Sequence, residues 1–211
     1  MNYPILMADT IDSGIKDSNE LMHQLKIIVK SMNKQKHSLI SPLTITLGDE
    51  FQGVCSSVPH AILMIISIEE MIIKNQYNIK LRYVLNFGKI ETKINSARAY
   101  EMLGLGLTEA RKKLNSLKTD DARFCISIGR NRKKSEEILN DAFFILQSFI
   151  DSWNVKDYEL VAAFIANSDY KKVAEKVQLD KSSAWRRRKS LKIQEYNRVK
   201  NIILAILKSM K

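Results

Sequence analysis

Leu43-Thr44-Ile45-Thr46-Leu47-Gly48-Asp49-Glu50-Phe51-Gln52-Gly53-Val54 is the stretch that decides how this chain folds. Threonine alternates with aliphatic residues up to Leu47, Gly48-Asp49-Glu50 has turn chemistry, and residues 51–54 return as a partner strand. The pattern is a β-hairpin, with Pro42 opening its first strand. Upstream, residues 3–8 form a short apolar run that ends in Asp9, Asp12 and Ser13. That run reads as a buried strand with acids at its carboxyl end. Between strand and hairpin, Asp17 or Ser18 can cap a helix that carries Leu21, Leu25, Ile28, Val29 and Met32 at helical spacing.

Downstream of the hairpin, Pro59 starts a helix that runs to about residue 74. Strands follow at residues 81–87 and 124–128, with a helical run at 108–117 between them and a long helix at 135–153. The order is β-α-β-β-α-β-α-β-α. Beyond about Lys156 no strand pattern recurs, and helices are expected at 157–166, 169–177, 181–195 and 196–210. The expected architecture is α+β, with one mixed domain over residues 1–153 and one all-α domain over residues 154–211.

Composition narrows the function classes. The 211 residues are 45% hydrophobic and 27% charged, with 7 Gly and 3 Pro, which suits a globular chain and excludes collagen-like or low-complexity classes. The longest apolar run, residues 61–68, is far shorter than the ~20 residues a membrane span needs. No signal peptide is expected, because Asp9 and Asp12 interrupt the apolar start. Two cysteines, Cys55 and Cys125, without metal-ligand spacing suit a reducing, cytoplasmic setting and neither a disulfide framework nor a zinc site. The net charge is +11, and the last 61 residues hold 14 basic against 7 acidic side chains. Positive charge so concentrated points toward a polyanion.

Residues 170–189 place that charge on a helix-turn-helix pattern. Ala174 is the small residue where two helices cross, Val173, Val177 and Leu179 fill the corner, and Asp180 can cap the second helix. That helix would project Lys181, Ser182, Ser183, Trp185 and Arg186 toward a major groove, with Arg187, Arg188 and Lys189 on phosphates. Gln178 stands at a turn position usually given to Gly, and Arg187 and Arg188 where one aliphatic residue is usual. The same residues also suit a two-helix corner with a solvated basic face. On the last helix Val199, Ile202, Ile203, Ile206 and Leu207 fall on one apolar stripe.

If the hairpin lies beside the first strand, Asp9 and Asp12 meet Asp49 and Glu50 at one edge of the sheet. Crowded carboxylates repel one another, and Mg²⁺ or Mn²⁺ relieves that cost with oxygen ligands of this kind. The alternative is local: Asp9 and Asp12 capping a turn, and Asp49 serving its own turn.

Ala8-Asp9-Thr10-Ile11-Asp12-Ser13 and Leu47-Gly48-Asp49-Glu50-Phe51 resemble the two metal-binding motifs of class III nucleotidyl cyclase and diguanylate cyclase palm domains. Residues 82–88 resemble the strand after the second helix of that fold, and residues 104–111 a later helix that ends in Ala-Arg. The whole arrangement, hairpin plus C-terminal helix-turn-helix, is similar to the SatD-like family. The resemblance implies a ferredoxin-like palm in which Asp9 and Asp49 hold metal, and are catalytic if the chain is an enzyme. It implies a second acidic position near Asp12 and a phosphate-binding role for Arg111. Leu107 replaces the asparagine that partners that arginine, and Leu47 replaces the first glycine of the diguanylate cyclase hairpin. The expected function is a DNA-binding regulator with a metal- and nucleotide-binding palm, acting as a homodimer. The alternative is a nucleotidyl cyclase or nucleotidyltransferase acting on nucleoside triphosphates.

Overall fold

A computed structural model describes residues 1–15, 17–46 and 48–210; Leu47, the hairpin position singled out above, lies outside the described residues. The chain forms two compact units, residues 1–68 with 79–140 and residues 69–78 with 141–211. No helix among the described residues is long and apolar enough to cross a membrane.

The first unit is built on a five-stranded sheet in the order β2-β3-β1-β4-β5. Strand β1 spans Asn2–Thr10, β2 Leu39–Ile45, β3 Glu50–Cys55, β4 Leu81–Lys89 and β5 Phe124–Ser127. Every pairing is antiparallel except that of β4 with β5. Helix α1 spans Ser18–Met32 and α3 Leu105–Ser116, while α2 (Val58–Lys74) and α4 (Lys133–Ser152) begin in this unit and end in the second. Ile5, Leu6 and Ala8 are each fully buried, so both faces of central β1 are covered. That double burial is why its sequence runs apolar without alternation. Asp17 caps α1, its carboxylate accepting from the amides of Asn19 and Glu20 at 2.9 and 2.8 Å.

Helix α3 covers one face of the sheet, burying Ala110, Leu114 and Leu117 with Ile5, Met7, Val54 and Val84. Its first turn meets β4 backbone to backbone. A Cβ on Gly106 would stand 2.5 Å from the Gly88 carbonyl carbon, so only glycine admits the approach. The buried Asn86 side chain locks the same point, donating to the Gly106 carbonyl at 2.9 Å.

The two edge strands end the sheet differently. Strand β2 begins three residues before Pro42, earlier than the sequence pattern suggests. Its register against β3 shifts twice, between Leu39 and Ser41 and between Ser41 and Thr44. An edge strand tolerates the proline, which lacks an N–H for a ladder. On β5 the side chain of Asn140 accepts from the Ile126 N–H and donates to the Ile126 carbonyl, both at 2.8 Å. Glu136 accepts the next free amide, Ile128 N–H, at 2.6 Å.

The second unit holds α5 (Tyr158–Ala166), α6 (Tyr170–Lys176), α7 (Lys181–Ser190) and α8 (Ile193–Ser209). Trp153 sits in its core, 5% exposed, donating its indole N–H to the Leu191 carbonyl at 2.8 Å and lying 5.1 Å from the Tyr196 ring. The sequence pattern carries one helix through residues 181–195. The chain instead breaks at Leu191–Lys192, where Lys192 is left-handed with φ 50°. Two buried side chains, Leu191 and Ile193, flank that break and redirect the chain into α8. The stripe expected on α8 shifts as well: Tyr196, Ile203 and Leu207 are buried, whereas Ile202 is 51% exposed.

Candidate functional site

Strand register assembles the first candidate site. Asp9 on β1 lies opposite Glu50 on β3 and opposite Arg82 on β4. Directly paired residues share a face of the pleat, so an acid and a base flank Asp9 on the α3 side. Arg82 Nη1 stands 3.5 Å from both Asp9 carboxylate oxygens. From the turn after α3, Lys118 Nζ reaches Asp9 Oδ2 at 3.6 Å. From α3 itself, Arg111 donates to the Glu50 carboxylate. Asp9 is 2% and Glu50 7% exposed, so the two acids are packed among three cations rather than facing water. Burial pushes the Asp9 carboxyl above its ordinary value; Arg82 and Lys118 oppose the shift, and Glu50 adds to it.

Asp49 is used differently. Its carbonyl accepts from the Thr10 N–H and hydroxyl, each at 3.1 Å, and its carboxylate accepts from the Ser13 hydroxyl at 2.6 Å. These bonds fasten the hairpin turn to the end of β1. Asp12 is exposed in a left-handed turn, with φ 56°.

The residues expected to hold a divalent cation therefore have other partners. Asp9 is engaged by Arg82 and Lys118, Asp49 by Ser13, and Arg111 neutralises Glu50. Among the described residues no group of three or more His, Cys, Asp or Glu side chains is arranged to hold a metal ion. As arranged, the rim does not fit Mg²⁺ or Mn²⁺, because guanidinium and ammonium groups supply the countercharge a metal would bring. Arg82 and Lys118 were not among the expected site residues, and Glu50 was expected only as the neighbour of Asp49 in the acidic turn. The signal that finds Glu50 and Arg82 is strand register, which sets both beside Asp9.

The raised Asp9 carboxyl has a measurable consequence. The folded chain holds that proton more tightly than the unfolded chain does. The stability it contributes is complete below pH 3.8, the ordinary value, and is lost as pH rises through the raised one. Melting temperatures of wild type and Asp9→Asn between pH 4 and 7 isolate the effect. The stability of wild type relative to the variant should fall with rising pH; a difference that is flat or rises contradicts the assignment.

The cysteines offer no second reactive centre at this rim. Cys55 is buried, which pushes its thiol up to about 12, and burial raises Cys125 too.

The second candidate site is α7. Val173 and Ala174 on α6 and Ala184 on α7 are buried to 1% or less, so small residues bring the two helices close. Gln178 takes the left-handed conformation between them, φ 56°, and the Leu179 N–H closes the turn on the Ala174 carbonyl at 2.9 Å. Asp180 caps α7, accepting from the Ser183 amide at 2.8 Å and the Ser182 hydroxyl at 2.6 Å. These hydrogen bonds hold the Asp180 carboxyl far below its ordinary value.

Lys181, Ser182, Trp185, Arg186 and Lys189 are exposed on α7, a spacing that follows one helical stripe. Lys189 Nζ lies 4.0 Å from the centre of the Trp185 ring, and Arg186 donates to the Ser183 hydroxyl at 3.3 Å. Arg187 and Arg188 turn elsewhere than expected. Arg187 pairs with Asp157 at 2.5 Å, and Arg188 lies over the Tyr170 ring at 5.2 Å while donating to the Ser168 carbonyl at 3.3 Å. They stand where an aliphatic side chain is usual, and each is half-buried with its head group held by these partners.

Residues 3–207 match one protein family, described as the SatD family. The chain is also similar to a solved structure described as the catalytic core of a rhodopsin-guanylyl cyclase in complex with ATPalphaS. That likeness has 16% identity and a TM-score of 0.38, and covers 53% of this chain and 72% of that one. No curated protein is similar at a significant level.

Proposed function

This chain belongs to the SatD family, and from that premise we propose that it is a regulatory protein that binds DNA through helix α7 of its second unit. One observation carries the reading. Lys181, Arg186 and Lys189 form an exposed basic stripe, and among the described residues none of the three is paired with a carboxylate. Cations whose internal contacts are a neutral ring and a hydroxyl, with no carboxylate to neutralise them, keep their charge available to phosphates. Trp185 and Ser182 lie in the same stripe and supply apolar and hydrogen-bonding contact to base edges. Helix α7 has ten residues, about 15 Å of axis, which suits the width of a major groove. So short a helix reads few base pairs, and two copies of the chain acting together belong to the proposal.

The test is the affinity of the full chain for a short DNA duplex as a function of salt. Three phosphate-neutralising cations per copy, six in a pair, give a slope of log affinity against log salt of about −5. Replacing Lys181, Arg186 and Lys189 together by Gln should abolish that slope, and each single replacement, present in both copies, should reduce it by about 2. A salt-independent affinity for the wild-type chain rejects the reading.

A second reading is nucleotidyl transfer on a nucleoside triphosphate. It has two buried carboxylates at one rim, Asp9 and Glu50, and requires Arg82, Lys118 and Arg111 to release them to a metal nucleotide. Incubation with each labelled nucleoside triphosphate and Mn²⁺ tests it. Product that disappears in Asp9→Asn supports it, and absence of product from every nucleotide rejects it.

A further inference from the structure

Lys113 lies at the opposite end of the sheet from Asp9, where α3 crosses the carboxyl ends of the parallel pair β4 and β5. Its Nζ donates to Asn86 Oδ1 at 2.6 Å and to Ser127 Oγ at 2.7 Å. Both acceptors are neutral, and among the described residues no carboxylate forms an ion pair with this half-buried ammonium. An ammonium carries three N–H donors, and these bonds use two. A cavity of about 610 Å³ opens at this point, lined also by Phe87, Glu109, Lys133 and Glu136. The crevice outside the carboxyl ends of parallel strands is where open sheets hold their ligands.

The lining specifies the chemistry of an occupant. An ammonium whose hydrogen-bond partners are both neutral calls for an anion, whereas Lys133, 80% exposed and 4.0 Å from Glu137, is already paired. Ammonium groups present point charges to oxygens from any direction, whereas a planar carboxylate is matched by the guanidinium fork, which none of the described lining residues supplies. The volume is far larger than inorganic phosphate, so the anion carries an organic body. Glu136 uses one carboxylate oxygen on the Ile128 amide. Its other oxygen and the exposed Glu109 accept hydrogen bonds, which hydroxyl groups on that body can donate. Phe87, 37% exposed, offers an apolar face to a ring. We propose that this cavity binds a small hydroxylated phosphate monoester, the class of the sugar phosphates, with its phosphate on Lys113 and Ser127. The site shares no residue with the acidic rim or with α7, and stands or falls independently of either.

Calorimetric titration and thermal unfolding of the full chain test this, with glucose 6-phosphate and ribose 5-phosphate as probes and glucose, ribose and inorganic phosphate as controls. At least one sugar phosphate should bind and raise the melting temperature. The parent sugars and inorganic phosphate should bind at least about tenfold more weakly, since each lacks one half of the recognition. Lys113→Gln should weaken the sugar phosphate about tenfold or more with unchanged circular dichroism. Ser127→Ala keeps the lysine and should weaken it by a smaller factor; it decides the matter if the lysine variant does not fold. Failure of both sugar phosphates to bind, equal binding of inorganic phosphate or of the parent sugar, or undiminished binding in the variants overturns the proposal.

Discussion

Gly106→Val should lower the stability of the full chain by at least about 3 kcal/mol, read as a shift of the urea midpoint. A Cβ at this position meets the Gly88 carbonyl carbon at 2.5 Å, Gly88 Cα at 2.8 Å and the Lys89 amide nitrogen at 2.8 Å. All three atoms are backbone of β4 where it is paired with β1 at Tyr3 and Asn2, so none gives way cheaply. The helix must lift instead, and lifting exposes Ala110, Leu114 and Leu117 together. It also pulls Arg111 from Glu50 and Lys113 from Asn86 and Ser127. Gly14→Ala is the control, because nothing lies within 4 Å of its added methyl group and stability should change little. A Gly106 variant as stable as the control would contradict the close docking of α3.

Trp153→Ala should cost about 3–5 kcal/mol and remove DNA binding with it. The indole is 5% exposed, packs at 59° against the Tyr196 ring and donates to the Leu191 carbonyl. That carbonyl belongs to the break between α7 and α8, so the indole positions the end of the proposed recognition helix. Removing it leaves a cavity and a buried acceptor without its donor. Trp153→Phe separates the two effects, since it keeps most of the apolar volume and loses only the hydrogen bond. Its cost should be about 1–3 kcal/mol, with DNA binding retained at low temperature. Thermal melts followed by circular dichroism, with duplex binding below the transition, measure both variants.

The order of elements in the first unit was legible from residues 43–54 and the runs around them, because turn chemistry and helical spacing are local. Asp17 as a cap and Pro59 in the first turn of a helix were legible for the same reason. The partners of Asp9 were not. A hairpin sets the alignment of β2 with β3, but no local signal sets that of β3 or β4 with β1. It takes that register to bring Glu50 and Arg82 beside Asp9 and to leave Asp49 to Ser13. Lys118 was hidden further, since its role depends on how α3 lies across the sheet. In the second unit the residues of α6 and α7 were readable from small and apolar positions. The inward turn of Arg187 was not, because it follows from Asp157, thirty residues earlier in the chain. The break at Lys192 was missed because no glycine or proline marks it, and a lysine takes the left-handed turn under tertiary packing.

The margins of the sheet have a consequence for how copies of this chain behave when crowded. Amyloid-like growth needs a straight strand with a continuous row of idle amide and carbonyl groups to copy. On one margin two slips in alignment and a proline spoil the row. On the other, a four-residue strand has its backbone groups answered by Asn140 and Glu136. While folded, neither described margin of the sheet offers a template for fibrils, so concentrated preparations should stay free of aggregate unless the helix carrying those two side chains is first unravelled.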